Sequence, residues 1–322
     1  GFAFLPNLVP SLNAAHVRDD VMQAFHIGKL EYTEFTLGVF ANKGFNCEER
    51  ITEEHQCGTF EHIKLSTIGA ESNDYLNYLF DNNIRYLKCC LTIIQKDHPP
   101  TQYYMPYFQA VNGHRISHTI NDIATSKRLG KAAASLLQVD SVRLYQTAIF
   151  VKNESSVNTN TEWHQDLNMV PLDVHVGGYL TFWCPLNPLR HSNSDSILWF
   201  AEGSHRDTAR YHWFDERQKL VDTESVKWRY NVSSFNLDVG DCTAHHGWTL
   251  HAAQKQPKHN TARVAIGFSY VYADARVLGS ITSAHQVDRK VPDEDEISYG
   301  RWLSDLNQGD AIDHPLLPIV YP

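Results

Sequence analysis

The sequence lacks the features that would place it in a membrane or on a nucleic acid. No apolar run reaches the roughly 18 residues that a helix needs to cross a bilayer. Lys and Arg number 28 against 37 Asp and Glu, which gives a formal charge of −9. That acidic balance disfavours a nucleic-acid groove or a polybasic membrane patch. We therefore expect a small-molecule partner, no nucleic acid and no membrane span, while the oligomeric state stays open.

Cysteine is scarce, and its spacing does not suit zinc. The chain has six cysteines, and none of them forms a CxxC pair of the kind that binds zinc. We interpret the six as reduced thiols. The first ten residues, GFAFLPNLVP, also lack the charged start and the small-residue cleavage site of a signal peptide. We therefore expect a cytoplasmic protein.

No repeat, low-complexity block or linker divides the chain, so we expect a single domain over residues 1–322. The part up to about residue 140 is predicted to be largely helical. Three helices with N-terminal capping residues are predicted: Ser11 to Phe25, Asn73 to about Gln95 after Ser72, and one that starts at Thr125 or Ser126. The third helix would turn five residues towards the core: Leu129, Ala132, Ala133, Leu136 and Leu137.

The pattern changes to β-strands over residues 141–276. VRLYQTAIFVK, GGYLTFWCPL, SILWFAEGS and TARVAIGFSYVYA are short, rich in β-branched and aromatic residues, and separated by turn residues. This is typical of an antiparallel jelly roll. We predict an α+β fold with a double-stranded β-helix core (jelly roll or cupin-like) and flanking N-terminal helices. The polar tail at 277–322 is expected to wrap the outside.

The segment TEWHQDLNM contains a candidate metal-binding pair. Residues two apart on a strand point to the same side, so His164 and Asp166 would converge while Gln165 points away. A third ligand could come from GDCTAHHGWTLHAAQ, which holds His245, His246 and His251. Two histidines and a carboxylate form the facial triad of non-haem Fe(II) oxygenases. The alternative is two polar residues that make an ordinary hydrogen bond.

Arg263 lies twelve residues after His251, inside the strand pattern TARVAIGF. A strand, a short connection and an antiparallel strand would bring its guanidinium back beside the ligand strand. A buried arginine needs an anion, and its planar fork fits a carboxylate. The alternative is a structural salt bridge with one of the protein's own acids.

Taken together, VRLYQTAIFVK, TEWHQDL, LTFWCPL, FAEGSHR and GDCTAHHGWTLHAAQ followed by an arginine resemble the phytanoyl-CoA dioxygenase family of Fe(II)/2-oxoglutarate-dependent oxygenases. The resemblance covers about residues 120–272. It implies that His164, Asp166 and His251 bind iron, and that Arg263 binds the distal carboxylate of 2-oxoglutarate. It also implies that Trp183 and Gln109 lie near that cosubstrate. The implied cofactors are Fe(II), 2-oxoglutarate and O2, with ascorbate as a reductant in vitro.

The resemblance also implies different roles for the three clustered histidines, and at two positions this sequence differs from the family pattern. His251 takes the ligand position in HGWTLH, so His246 is expected either to support the metal ligands or to be structural, and His245 to point to the opposite face. Relatives often carry a serine where this chain has Ala253, and Met or Gln where it has Ala148. Arg263 would then need another helper for the carboxylate.

The implied reaction is oxidation of an unactivated C–H bond of a small molecule, by hydroxylation, desaturation or oxidative cyclisation, with release of succinate and CO2. Related halogenases lack the carboxylate, so Asp166 disfavours halogenation. Alternatives are an oxidative cyclase of an amino-acid-derived natural product, similar to kainoid synthases, a non-catalytic family member that binds metal or ligand, and a zinc hydrolase. Residues 152–162 could form a lip over the site, and Arg190 with His191 could form a second rim for an anionic substrate.

Overall fold

The computed structural model describes residues 1–10, 13–19, 107–115, 117–152, 160–173, 178–207, 223–257, 260–278, 302 and 305–322. The predicted helix over Asn73 to Gln95 lies outside these residues. Thirteen strands are found there: β1 (Phe2–Leu5), β2 (Tyr107–Val111), β3 (Val142–Lys152), β4 (Thr161–His164), β5 (Leu172–Asp173), β6 (Tyr179–Pro185), β7 (Leu198–Ala201), β8 (Val232–Ser233), β9 (Cys242–His246), β10 (His251–Ala253), β11 (Arg263–Tyr272), β12 (Arg276–Val277) and β13 (Ile319–Tyr321).

The helices in the same residues are α1 (residues 13–19), α2 (His118–Ala124), α3 (Lys127–Leu137) and α4 (Thr223–Arg229). The Ser126 hydroxyl accepts from the Leu129 backbone N–H at the start of α3, so the predicted N-cap is confirmed. Leu129 and Ala133 are buried as predicted. Leu136 is instead 44% exposed, while Ala132 and Leu137 are partly buried against the core. None of the described helices is long and apolar enough to cross a membrane.

Two antiparallel sheets form the predicted jelly-roll core. The major sheet has the strand order β1-β9-β6-β11-β3-β13, with β2 also paired to β3, and the minor sheet has the order β4-β10-β7-β8. The two sheets share one apolar cluster, which contains Trp183 and Ala265 from the major sheet and Phe200 and Ala253 from the minor sheet. The inner faces of the sheets therefore face each other.

The outer face of the major sheet is covered by α2 and α3. Ile120, Leu129 and Ala133 from these helices pack in one cluster with Phe182 and Phe268 from the sheet. Because both faces are covered, β6 and nearly all of β11 are buried along their whole length. This explains why these strands read as continuous apolar runs and do not alternate.

Cys184 and Cys242 form a disulfide, so the prediction of six reduced thiols is wrong for this pair. The two residues lie on neighbouring antiparallel strands, β6 and β9, and their Cα atoms are 4.3 Å apart. That separation is typical of directly opposed residues that exchange no backbone hydrogen bonds, where side chains approach closely. The bond removes the cysteine argument for a cytosol-like compartment. The other four cysteines lie outside the described residues.

Both ends of the chain contribute more to the β core than predicted. The first 140 residues are not purely helical, because β1 pairs with β9 and β2 pairs with β3 in the major sheet. The tail does not simply wrap the outside, since β13 pairs with β3 and Trp302 is only 1% exposed. An apolar strand at either end can add to a free sheet edge far away in sequence. The single domain over 1–322 stays a prediction.

Candidate metal centre

His164 and Asp166 lie where a strand turns into a short helix. His164 is the last residue of β4, and Asp166 begins a 3-10 turn that runs to Met169. Gln165, between them, has an extended backbone and a buried side chain whose Nε2 donates to the Trp248 carbonyl at 2.6 Å. Gln165 therefore points away from the pair, as predicted, and anchors the corner to another loop.

His251 completes the group from the neighbouring strand. It begins β10 and lies directly opposite His164 in the register of the minor sheet. The two imidazole rings are 4.1 Å apart between centroids. Asp166 Oδ1 lies 3.5 Å from His251 Nε2 and 3.8 Å from His164 Nε2. The ligand atoms of all three residues lie within 4.8 Å of one another, which is compact enough to surround one metal ion.

The backbone orients both imidazoles so that their Nε2 atoms face the centre of this group. His164 Nδ1 lies 2.7 Å from the Glu162 carbonyl, and His251 Nδ1 lies 3.0 Å from the Thr249 carbonyl. A carbonyl oxygen can only accept, so each Nδ1 donates, and in a neutral imidazole the lone pair is then on Nε2. Two such lone pairs and a carboxylate oxygen would repel one another without a cation. The donor set therefore fits a divalent metal such as Fe(II).

The second oxygen of Asp166 is held by side chains of the major sheet. Asp166 Oδ2 accepts from Thr181 Oγ1 at 2.8 Å and from His245 Nε2 at 3.2 Å. Thr181 Oγ1 is also 3.1 Å from Ser269 Oγ. His245, Thr181 and Ser269 are direct neighbours across β9, β6 and β11. They form one polar row that fixes Oδ2 and leaves Oδ1 to the histidines.

His245 therefore faces the site, and the prediction that it points to the opposite face is wrong. Its ring is 4.4 Å from the His251 ring, and its side chain is 2% exposed. Its buried Nδ1 has no hydrogen-bond partner among the described residues. His246 has the structural role that was predicted, since its Nδ1 accepts from the Trp248 backbone N–H at 3.2 Å.

A glycine allows the turn after β9 to contact the Asp166 segment. The Gly247 carbonyl accepts from the Leu167 backbone N–H at 3.2 Å. A Cβ on Gly247 would lie 2.6 Å from Leu167 Cγ and 2.9 Å from Tyr179 Cδ1. A larger residue would push the 3-10 turn away, and Asp166, at its first position, would move with it.

Burial and nearby charge shift the pKa values of Asp166 and His251 towards the states that a metal requires. Burial alone would raise the pKa of Asp166, but His251, the hydrogen bond from His245 and the charges of His245 and His164 lower it below its usual range. Burial, followed by the proximity of His164 and His245, lowers the pKa of His251 well below its usual value. The carboxylate is therefore ionised and His251 is neutral.

Arg263 is buried at the start of β11, where its Cζ lies 5.3 Å from the ring centroid of Trp183. Arg263 and Ser269 are six residues apart on this strand, and Trp183 and Thr181 are two apart on β6. Each pair therefore shares the inner face. The predicted hairpin with β10 is wrong, because β11 pairs with β3 and β6 and belongs to the other sheet. Arg263 thus reaches the core from the sheet that faces His251.

The other positions that were predicted to line the site are Gln109, Arg190 and the lip over residues 152–162. Gln109 lies on β2 opposite Phe150, and its side chain lies outside the described part of the chain. The Arg190 guanidinium bonds the Leu189 and Leu237 carbonyls and Asp238, and its part in a rim for an anionic substrate stays a prediction. Residues 153–159 of the expected lip are outside the described residues.

Sequence reasoning missed Thr181 and Ser269. Each lies in a strongly apolar strand, β6 or β11. A single hydroxyl residue within such an apolar segment could have indicated that it bonds a polar group in the core.

Comparison with known proteins agrees with this geometry. Residues 103–259 match the phytanoyl-CoA dioxygenase (PhyH) family, a range that includes His164, Asp166 and His251 and ends just before Arg263. The non-haem α-ketoglutarate-dependent carbocyclase SnoK from nogalamycin biosynthesis matches with 17% identity over 79% of this chain and 88% of its own, at a TM-score of 0.51. The epimerase SnoN, solved with Fe3+, α-ketoglutarate and nogalamycin RO, matches with 19% identity over 79% and 91%, at 0.50.

At this level of identity the two solved structures establish the shared fold. The comparison with curated proteins gives no significant match. The family match and the His-Asp-His group in a jelly-roll core agree on one class of enzyme, which uses iron and 2-oxoglutarate. Residues 103–259 thus form a region of the phytanoyl-CoA dioxygenase (PhyH) type, and the protein is a 2-oxoglutarate-dependent, non-haem iron dioxygenase.

Proposed function

We propose that His164, Asp166 and His251 bind Fe(II), that Arg263 binds the distal carboxylate of 2-oxoglutarate, and that the enzyme oxidises an unactivated C–H bond of a small molecule. Succinate and CO2 would be the coproducts. The observation that carries the proposal is the convergence of two Nε2 atoms and Asp166 Oδ1, with every other polar atom of these side chains bonded elsewhere. Such a set supplies one face of a metal and leaves the opposite face open.

Each residue then has a defined task. When bound, iron and 2-oxoglutarate would supply the oxidising chemistry, with O2 as the oxidant. The Glu162 and Thr249 carbonyls keep the two imidazoles oriented, and the Arg263 fork, stacked on Trp183, holds a carboxylate in a buried position. The His164 side chain is 25% exposed and that of His251 is 6% exposed, so substrate would approach from the His164 side.

The other reaction classes fit these contacts less well. A zinc hydrolase needs a general base beside the metal. His245 is the one further titratable side chain that bonds the group among the described residues, and its Nε2–H is already donated to Asp166. Halogenation needs the position that Asp166 occupies. Hydroxylation, desaturation and oxidative cyclisation, including that of a kainoid-synthase-like cyclase, all need the three proposed metal ligands and Arg263. Which of them occurs depends on the substrate and how it is held.

The experiment is an assay of succinate release from 2-oxoglutarate. The purified protein with Fe(II), O2 and ascorbate should release succinate, and each omission of Fe(II) or O2 should stop it. A panel of small carboxylic acids and amino-acid derivatives should include compounds that stimulate release, and mass spectrometry of their products would separate hydroxylation from desaturation and cyclisation. A non-catalytic family member would bind Fe(II) and 2-oxoglutarate and release no succinate under any of these conditions.

His245 is expected to strengthen metal binding through Asp166. Groups that hydrogen-bond a metal ligand typically contribute 10- to 100-fold to metal affinity. His245→Met removes the N–H and should weaken Ni(II) binding by about that factor in a competition titration with a chelator. His245→Gln places an amide N–H near the position of Nε2 and should restore most of the affinity.

The exposed His16 gives a matched control, since His16→Asn should bind Ni(II) as the wild type does. A purely structural role for His245 would lower the melting temperature of both His245 variants and leave the Gln variant no better than the Met variant.

A further inference from the structure

Lys152 is a buried basic residue opposite Arg263 that the proposed reaction does not yet use. It is the last residue of β3 and lies directly opposite Arg263 in the register with β11. Directly opposed residues on paired strands point to the same face, so both side chains enter the core between the sheets. Lys152 is fully buried and Arg263 is 2% exposed. Lysine is rarely buried to this degree.

The Lys152 ammonium reaches the segment that follows the predicted ligand His251. Its Nζ donates to the Ala253 carbonyl at 3.4 Å and to the Gln254 carbonyl at 3.2 Å. Lys152 thus extends from the major sheet to the end of β10 in the minor sheet. The ammonium therefore lies beside the backbone of Ala253, a residue whose own side chain can donate no hydrogen bond.

The surroundings of Lys152 favour the arrival of a negative charge. Burial, followed by the positive charge of Arg263, lowers the pKa of Lys152 well below its usual value, although the Glu162 carboxylate acts in the opposite direction. The attraction of Glu162 is therefore smaller than the combined cost of burial and of the neighbouring guanidinium. An additional anion between the two basic groups would relieve both effects.

We propose that Lys152 and Arg263 together form a two-cation site for the distal carboxylate of the cosubstrate. Arg263 offers a planar fork to both oxygens, and Lys152 adds a point charge with a rotatable donor. Lys152 then replaces the helper group that Ala253 does not provide. This inference rests on the proposed function, because it names a second residue for the cosubstrate that Arg263 is proposed to bind.

The competing explanation is that Lys152 is a structural link between the sheets through its two carbonyl contacts. The two explanations predict different affinities for a ligand that lacks a distal carboxylate. A binding role affects 2-oxoglutarate and spares 2-oxobutyrate, which has the same keto acid head and no second carboxylate. A structural role affects both ligands equally, because it acts through the position of β10.

The test is calorimetric titration of the Zn(II)-loaded protein with 2-oxoglutarate and with 2-oxobutyrate. Lys152→Gln removes the charge and keeps an N–H donor for the carbonyls, and Lys152→Met removes both while it keeps the apolar stem. Both variants should bind 2-oxoglutarate about 10- to 100-fold more weakly, as expected for loss of a charged hydrogen bond. Affinity for 2-oxobutyrate should stay unchanged. The exposed Lys131 gives the control Lys131→Met, which should match the wild type for both ligands.

Melting temperatures of all variants are measured first, and if one Lys152 variant fails to fold, the other carries the test. Equal losses for both ligands, or unchanged 2-oxoglutarate affinity in a folded variant, would overturn the role of Lys152 and leave the proposed function in place. If the wild type binds no 2-oxoglutarate at all, the proposed function fails and this inference fails with it.

Discussion

Replacement of Asp166 by alanine should abolish Fe(II)-dependent succinate release. We expect a loss of more than about 100-fold, because removal of an outer partner of a metal ligand already costs up to about 100-fold, and here the ligand itself is lost. Asp166 Oδ1 faces both histidines at 3.5 and 3.8 Å. Its absence leaves two neutral imidazoles, which hold a hard divalent ion much less well.

Two further variants separate metal binding from folding. Asp166→Asn keeps the shape of the side chain and an oxygen that can accept from Thr181 and His245, but it lacks the charge. It should fold as the wild type does and lose the rise in melting temperature that Ni(II) gives the wild type, since a ligand stabilises only a protein that binds it. Asp274→Ala removes an exposed carboxylate and should change neither value. Full succinate release by a folded Asp166→Ala protein would contradict the proposed metal site.

Local patterns in the sequence predicted the elements that are determined locally. The β-branched and aromatic residues of VRLYQTAIFVK and the capping serine before KRLGKAAASLL are local signals, and β3 covers the predicted segment while α3 begins directly after the predicted capping residue. The His164 and Asp166 pair was accessible for the same reason, since the two residues are only two apart. Resemblance to a known family was needed to add His251, because its contact with His164 crosses two strands.

The wrong predictions for His245 and Arg263 share one physical cause, which is that the alternation of side-chain direction along a strand is lost at a turn. The period of two holds within a strand, but a turn lies between β9 and β10, and these strands belong to different sheets. Because of that turn, the number of residues between His245 and His251 does not determine whether their side chains point to the same side. The same holds for Arg263, because the connection after β10 crosses to the other sheet.

The pairing of Cys184 with Cys242 also depends on a register that no local pattern contains. The two residues are 58 positions apart in sequence, and they meet because β6 and β9 align Trp183 with Thr243. Strand register is set by tertiary packing of the inner faces. Lys152 is a similar case. A lysine at the end of a strand is usually exposed to solvent, and only the register between β3 and β11 shows that this one lies opposite Arg263.

Replacement of Arg263 by methionine should weaken 2-oxoglutarate binding by about 30- to 4000-fold, because truncation of one partner of a buried, hydrogen-bonded charge pair costs about 2–5 kcal/mol. The guanidinium is buried and stacks on Trp183, so water compensates little for its loss. Calorimetry with the Zn(II)-loaded protein measures the change. Affinity for 2-oxobutyrate should fall much less, since this ligand has no distal carboxylate for the fork to hold.

Two further variants show whether a loss of 2-oxoglutarate affinity is specific to the Arg263 guanidinium. Arg206→Met removes an exposed arginine and should leave both affinities unchanged. Arg263→Lys keeps the charge without the fork, so it should recover part of the affinity and remain weaker than the wild type. Unchanged 2-oxoglutarate affinity in a folded Arg263→Met protein would assign Arg263 to a structural role. The carboxylate would then have to be bound by another cation of the core, and Lys152, directly opposite on β3, is the nearest one in the register of these strands.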